Sequence, residues 1–224
     1  MPADSGGPNK FFPPEMRSLK SQQTTPYALI RKWERSQAWG VAIAMVPGPQ
    51  IGVWDVLIPI VLVLNFMRNR ERRELFVQNY LYTKMMALDA ARDISAGKTD
   101  RKGALDQIRA KTDSALSAES GDIYSADIRE KQMAEIELLI DHYMWLMQMH
   151  GKDYAELVRK VYPDREDYRQ FLEKLKEKET AVIEAAGRTM GDKMDPDALA
   201  TLRRETERLR EKSIQTIYHI DADA

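Results

Sequence analysis

Cysteine is absent from this sequence, which excludes disulfides, thiolate zinc sites, iron–sulfur ligation and cysteine nucleophiles together. Histidine is scarce. The three histidines, His142, His150 and His219, show neither i, i+4 spacing nor an H-E-x-x-H pattern, so no histidine metal site is expected. Neither a Gly-rich phosphate loop nor a G-x-S-x-G elbow occurs. Strand-like alternation with Gly-rich turns is also missing, which argues against α/β and all-β folds. Nor does one sign of charge dominate: 34 Lys and Arg face 35 Asp and Glu, for a net charge of −1. A nucleic-acid partner, which would call for a basic stripe, is not expected. The start, from Met1 to Pro8, lacks the basic and apolar regions of a secretory signal, so a cytoplasmic N-terminus is expected.

What is present divides into three regions. Residues 1–25 are rich in Pro, Gly and polar side chains and read as a flexible arm that buries too little apolar surface to offset its ordering entropy. Phe11 and Phe12 are its only candidate docking anchors. Residues 26–67 form the second region. Thr25 followed by Pro26 predicts a helix N-cap with proline at the first helical position. That helix carries Tyr27, Ile30, Trp33 and Trp39 and becomes wholly apolar over 40–46. Pro47-Gly48-Pro49 must break it. An apolar run follows over 51–67, interrupted by Trp54-Asp55, Pro59 and Asn65, and Arg68, Arg70, Arg72 and Arg73 end it.

Residues 68–224 read as a multi-helix bundle. Helical periodicity predicts helices over about 69–96, 103–116 and 125–150. Gly97 stops the first. The third carries two apolar stripes, one through Met133, Ile136, Ile140, Tyr143, Met144 and Met147 and one through Leu138, His142, Trp145 and Met149, as expected of a helix with neighbours on several sides. Asp164 caps a further helix ending near Gly187, and Asp195-Pro196 opens the last. The expected fold is therefore all-α: an N-terminal apolar helical hairpin, membrane-embedded or re-entrant, followed by a helical bundle.

As a helix, residues 51–67 would reach about 25 Å, the short end of what a hydrocarbon layer of about 30 Å requires. Arg31, Lys32 and Arg35 precede the apolar region and the four arginines follow it, so the positive-inside tendency places both flanks on the cytoplasmic side and favours a re-entrant hairpin. Trp39, Pro47, Gly48, Pro49, Trp54, Asp55, Pro59 and Leu62 are its expected insertion residues, and Arg68, Arg70, Arg72 and Arg73 its contacts with an anionic lipid surface. Asp55 is either a functional carboxylate at the Pro59 kink or a helix-start acid stabilised by the dipole. The soluble alternative buries the same hairpin in a soluble core or in an oligomer interface.

No combination of residues names a reaction. Met144, Met147 and Met149 read as packing rather than metal or haem ligands, so no cofactor is expected. Glu135, Glu137, Asp141 and His142 form the densest polar cluster on an apolar helix, and a solvated or salt-bridged face explains them most simply. The functional expectation is a non-enzymatic, membrane-anchored scaffold, adaptor or accessory subunit on the cytoplasmic face, with membrane lipid and unidentified proteins as partners. It is also expected to self-associate through Leu199, Leu202 and Leu209, a short apolar seam with charged borders. The rival in another class is an enzyme acting on a lipid or quinone at the membrane surface, using Glu137, Asp141 and His142.

Overall fold

The computed structural model describes residues 25–46, 69–118, 125–191 and 196–219. These residues form seven helices and no strand: α1 (Pro26–Met45), α2 (Asn69–Ser95), α3 (Arg101–Ala118), α4 (Ala126–Met147), α5 (Tyr154–Val161), α6 (Arg165–Met190) and α7 (Pro196–Tyr218). The expected all-helical class is thereby established for the described residues. Pro47, Gly48, Pro49, Trp54, Asp55, Pro59, Leu62 and Arg68 lie outside them, as do residues 1–24 and the side chains of Arg70 and Arg72. Among the described residues no helix is long and apolar enough to cross a membrane.

Local chemistry sets most of the helix ends. Thr25 caps α1 by accepting from the Ala28 N–H, with Pro26 in the first turn, where a missing N–H costs nothing. Ser125, Asp153 and Asp164 cap α4, α5 and α6 in the same way. Gly97, at φ +68°, turns the chain out of α2 in the left-handed conformation that glycine adopts without strain. α6 runs past the expected stop at Gly187 to Met190. Its last turn is tied to the start of α4: Arg188 donates to Asp127 at 2.6 Å, and the Thr189 and Ser125 hydroxyls are 3.3 Å apart. Those contacts outweigh the weak helix propensity of one internal glycine, about 1 kcal/mol.

α4 is the central helix and touches α1, α2, α3, α5 and α6. Ile136, Leu139, Ile140, Tyr143 and Leu146 are essentially inaccessible to solvent, and burying each aliphatic side chain is worth roughly 2–3 kcal/mol. The short α5, not foreseen, closes the same core with Tyr154, Leu157 and Val158. A smaller core of Ala38, Val41, Ala42, Met45, Phe76, Val77 and Leu81 joins α1 to α2, with Leu202 and Leu209 of α7 packed against it.

α1 is thus part of the bundle, packed on α2, α4, α5 and α7. A division at residue 68 would separate it from the helices it buries. α1 and α2 run antiparallel: Tyr27 donates to Asp89 at 2.7 Å, Lys84 to Glu34 at 2.8 Å and Arg35 to Glu74 at 2.8 Å. The far end of the pair is closed by the Arg73 guanidinium, which donates twice to the Val46 carbonyl, at 2.9 and 3.2 Å.

Candidate functional site

Two places in the bundle have features beyond packing. The first is the α1–α2 end. Arg73 holds the Val46 carbonyl, so the two described segments that flank residues 47–68 lie against each other at this end. Trp39 packs half-buried on the smaller core, and Ile43, one turn further on the same face, is 59% exposed. Of the four arginines expected at a lipid surface, Arg73 is seen to be a structural clasp as well as a positive charge.

The second is a buried charged network where α1, α2, α4, α6 and α7 meet. Glu34, only 6% exposed, accepts from Lys84 on one oxygen and from the Tyr143 hydroxyl on the other, at 2.8 and 3.0 Å. Burial alone would depress the Lys84 ammonium, but the adjacent Glu34 carboxylate reverses this and holds its pKa above the usual range. Arg210 forms a second, short ion pair with Glu179. Glu135, 7% exposed, has no such partner. Burial, reinforced by Glu179, raises its pKa to about 8 against the opposing pull of Lys84 and Arg210.

Lys84, Glu179 and Arg210 form part of the wall between two hollows. The inner one, about 50 Å³, reaches Trp33, Glu34 and His142, and the outer, about 360 Å³, lies among α2, α4, α6 and α7 with Glu135 in its wall.

The polar cluster singled out on α4 does not converge. His142 is 2% exposed, stacks on Phe171 with centroids 4.0 Å apart, and places Nδ1 2.9 Å from the Tyr162 hydroxyl. Burial, aided by the Lys84 charge, lowers its pKa to about 3 and keeps it neutral. Asp141 faces outward into a two-pronged contact with Arg101, at 3.1 Å to each oxygen, and Glu137 lies 3.8 Å from Arg109. Met144, Met147 and Met149 pack against the main core. No group of His, Asp and Glu able to hold a metal ion occurs among the described residues.

The α7 residues expected to self-associate are placed unevenly. Leu202 and Leu209 pack inward, and Leu199 is half-buried. Gly40 lets α7 approach α1, for a Cβ there would stand 3.1 Å from Leu209 Cδ1.

The network was not legible in the sequence, because its charges come one from each helix, at positions 34, 84, 135, 179 and 210. α5 did have a local signal: Asp153 followed by Glu156 is an N-cap and N3 acid pair, ahead of Leu157, Val158 and Val161. Comparison with protein families, with characterised proteins and with solved structures finds no match to this chain.

Proposed function

We propose that this chain is a membrane-attached helical module on the cytoplasmic face, with residues 47–68 as its attachment segment and the helical body as a platform for protein partners. The observation that carries this reading is the Arg73–Val46 clasp. With both flanks of the apolar segment fixed to each other, a single crossing that separates them would have to pull α1 from α2 and break their shared core. Entry and return on one side leaves the bundle intact. The exposed Ile43 and half-buried Trp39 at the departing end of α1 add apolar surface suited to interfacial depth.

The platform part rests on the α4 polar cluster, whose His142 is neutral and enclosed while Glu137 and Asp141 face outward in ion pairs. That dispersal gives the enzyme alternative no common centre. Self-association is also proposed, but through α7 it would have little apolar surface to use, since Leu202 and Leu209 are engaged within the chain.

Flotation with vesicles of mixed neutral and anionic phospholipid tests the attachment. The full chain is expected to float with the vesicles and to resist carbonate extraction. A variant in which a short Gly-Ser linker replaces residues 47–68 is expected to remain in the aqueous fraction with its helical circular dichroism preserved, since Val46 and Arg73 are already in contact. Recovery of the full chain in the aqueous supernatant would overturn the proposal, as would protease access placing the two termini on opposite sides.

A further inference from the structure

The hollow among α2, α4, α6 and α7 measures about 360 Å³, within the range of small-molecule sites. Its wall combines apolar side chains, Val182, Ile183 and Leu202, with the face of charged residues described above. The charges are unequal in what they have already satisfied. Lys84 is paired with Glu34 and Arg210 with Glu179, while Lys176 is 3.0 Å from Glu207 at the same cavity. Each of these cations has an anion, and Arg203 is exposed, where water solvates it.

Glu135 is the exception. Its side chain lines the hollow while only 7% of the residue is exposed, and no hydrogen bond or ion pair reaches it within the described residues. A buried carboxylate without a partner is costly, so it either keeps a proton or acquires a countercharge. An anionic ligand would bring a charge toward Glu135, Glu179 and Glu207 without relieving Glu135, the lining carboxylate that no cation contacts. A ligand with one positive charge and an apolar remainder matches both the vacant carboxyl and the apolar wall.

We propose that this cavity binds a small organic cation, an apolar body bearing one basic nitrogen, with the Glu135 carboxylate as its counter-ion. Binding exchanges the proton on Glu135 for the ligand's charge: the cation enters, the carboxyl ionises, and the proton passes to solvent. No covalent bond forms or breaks beyond that O–H. The inference is independent of membrane attachment, because every residue that lines the cavity lies on α2, α4, α6 or α7.

The test is calorimetric titration of the full chain in mild non-ionic detergent with benzylamine, benzyl alcohol and benzoate, three probes of similar shape and different charge. Benzylamine is expected to bind saturably and at least about tenfold tighter than the other two. Titration at pH 7 in buffers of different ionisation enthalpy is expected to show proton release on binding. Glu135→Gln should abolish the preference for the amine without lowering the melting temperature of the unliganded protein. Leu202→Trp, which fills the cavity from its apolar side and leaves every charge in place, should also block binding and serves if the first variant fails to fold. Equal affinity for the three probes, preference for benzoate, no saturable binding of benzylamine, or unchanged amine binding by Glu135→Gln would each overturn the proposal.

Discussion

Lys84 and Glu34 meet at 2.8 Å in the interior, with side chains 12% and 8% exposed, and so bind α2 to α1 by a desolvated ion pair. Taking two charges out of water offsets much of their attraction, so the pair's net stabilisation is small, but each partner strands the other if removed. Lys84→Met is therefore expected to destabilise the bundle by about 3–5 kcal/mol. Glu34→Leu with Lys84→Met should recover much of that loss, although Tyr143 then loses its acceptor. Thermal melting of the parent, both single variants and the double variant gives the coupling energy. Additive losses would show that the pair is not coupled.

Glu135 and His142 give stability opposite dependences on pH. Glu135 titrates at about 8 in the folded protein, above its ordinary 4.5, so the folded state binds the extra proton between those values. Its contribution is complete below 4.5 and is lost as pH rises through 8. His142 titrates at about 3 when folded, below its ordinary 6.5. Its contribution is complete above 6.5 and is lost as pH falls toward 3. Each slope is about 1 kcal/mol per pH unit within its window. They cancel between 4.5 and 6.5, leaving a plateau with a fall on either side. Urea denaturation across pH should show Glu135→Gln gaining on the parent progressively from pH 4.5 to 8, and His142→Phe gaining on it as pH falls from 6.5 to 3. Parallel curves for parent and variant would refute the corresponding assignment.

α1 was legible in its start and misleading in its end. Thr25 and Pro26 announced the cap, as did Asp164 for α6, because capping chemistry is local. The apolar residues toward Met45 looked like the approach to the apolar segment that follows. Yet Ile30, Glu34, Ala38, Val41 and Met45 recur at three- and four-residue steps and are all buried, the stripe of a helix packed on one side. Glu135 was legible only as one of several acids on α4. What separates it from Glu137 is the neighbourhood supplied by α2, α6 and α7, which no window of sequence contains.

That placement of α1 makes a fragment of residues 74–224 a poor folding unit. It would lack α1 and uncover Phe76, Val77, Leu81 and Leu88 on α2, together with an unpaired Lys84. The fragment is expected to aggregate or to show a broad, low-temperature melt, whereas the chain with a linker in place of residues 47–68 should melt cooperatively. A cooperative, monomeric 74–224 fragment would show that α1 is dispensable.

Leu209 and Gly40 provide the sharpest test of how α7 is used. A Cβ on Gly40 would stand 3.1 and 3.3 Å from the two methyls of Leu209, so α7 seats that leucine in a notch on α1 that glycine keeps open. Gly40→Ala gains about 1 kcal/mol of helix propensity but crowds a movable side chain, and should be close to neutral. Gly40→Val adds bulk the notch cannot hold and loses about 1–3 kcal/mol. Leu202→Glu with Leu209→Glu places two carboxylates against Phe76 and the rest of the smaller core. A loss of about 1–3 kcal/mol is expected, because both leucines are partly buried against that core and a carboxylate there loses apolar contact. If these leucines serve the chain's own packing, the double variant melts early and any folded fraction keeps the parent's mass by light scattering. A well-folded double variant of smaller mass would instead assign the α7 seam to contact between copies of the chain.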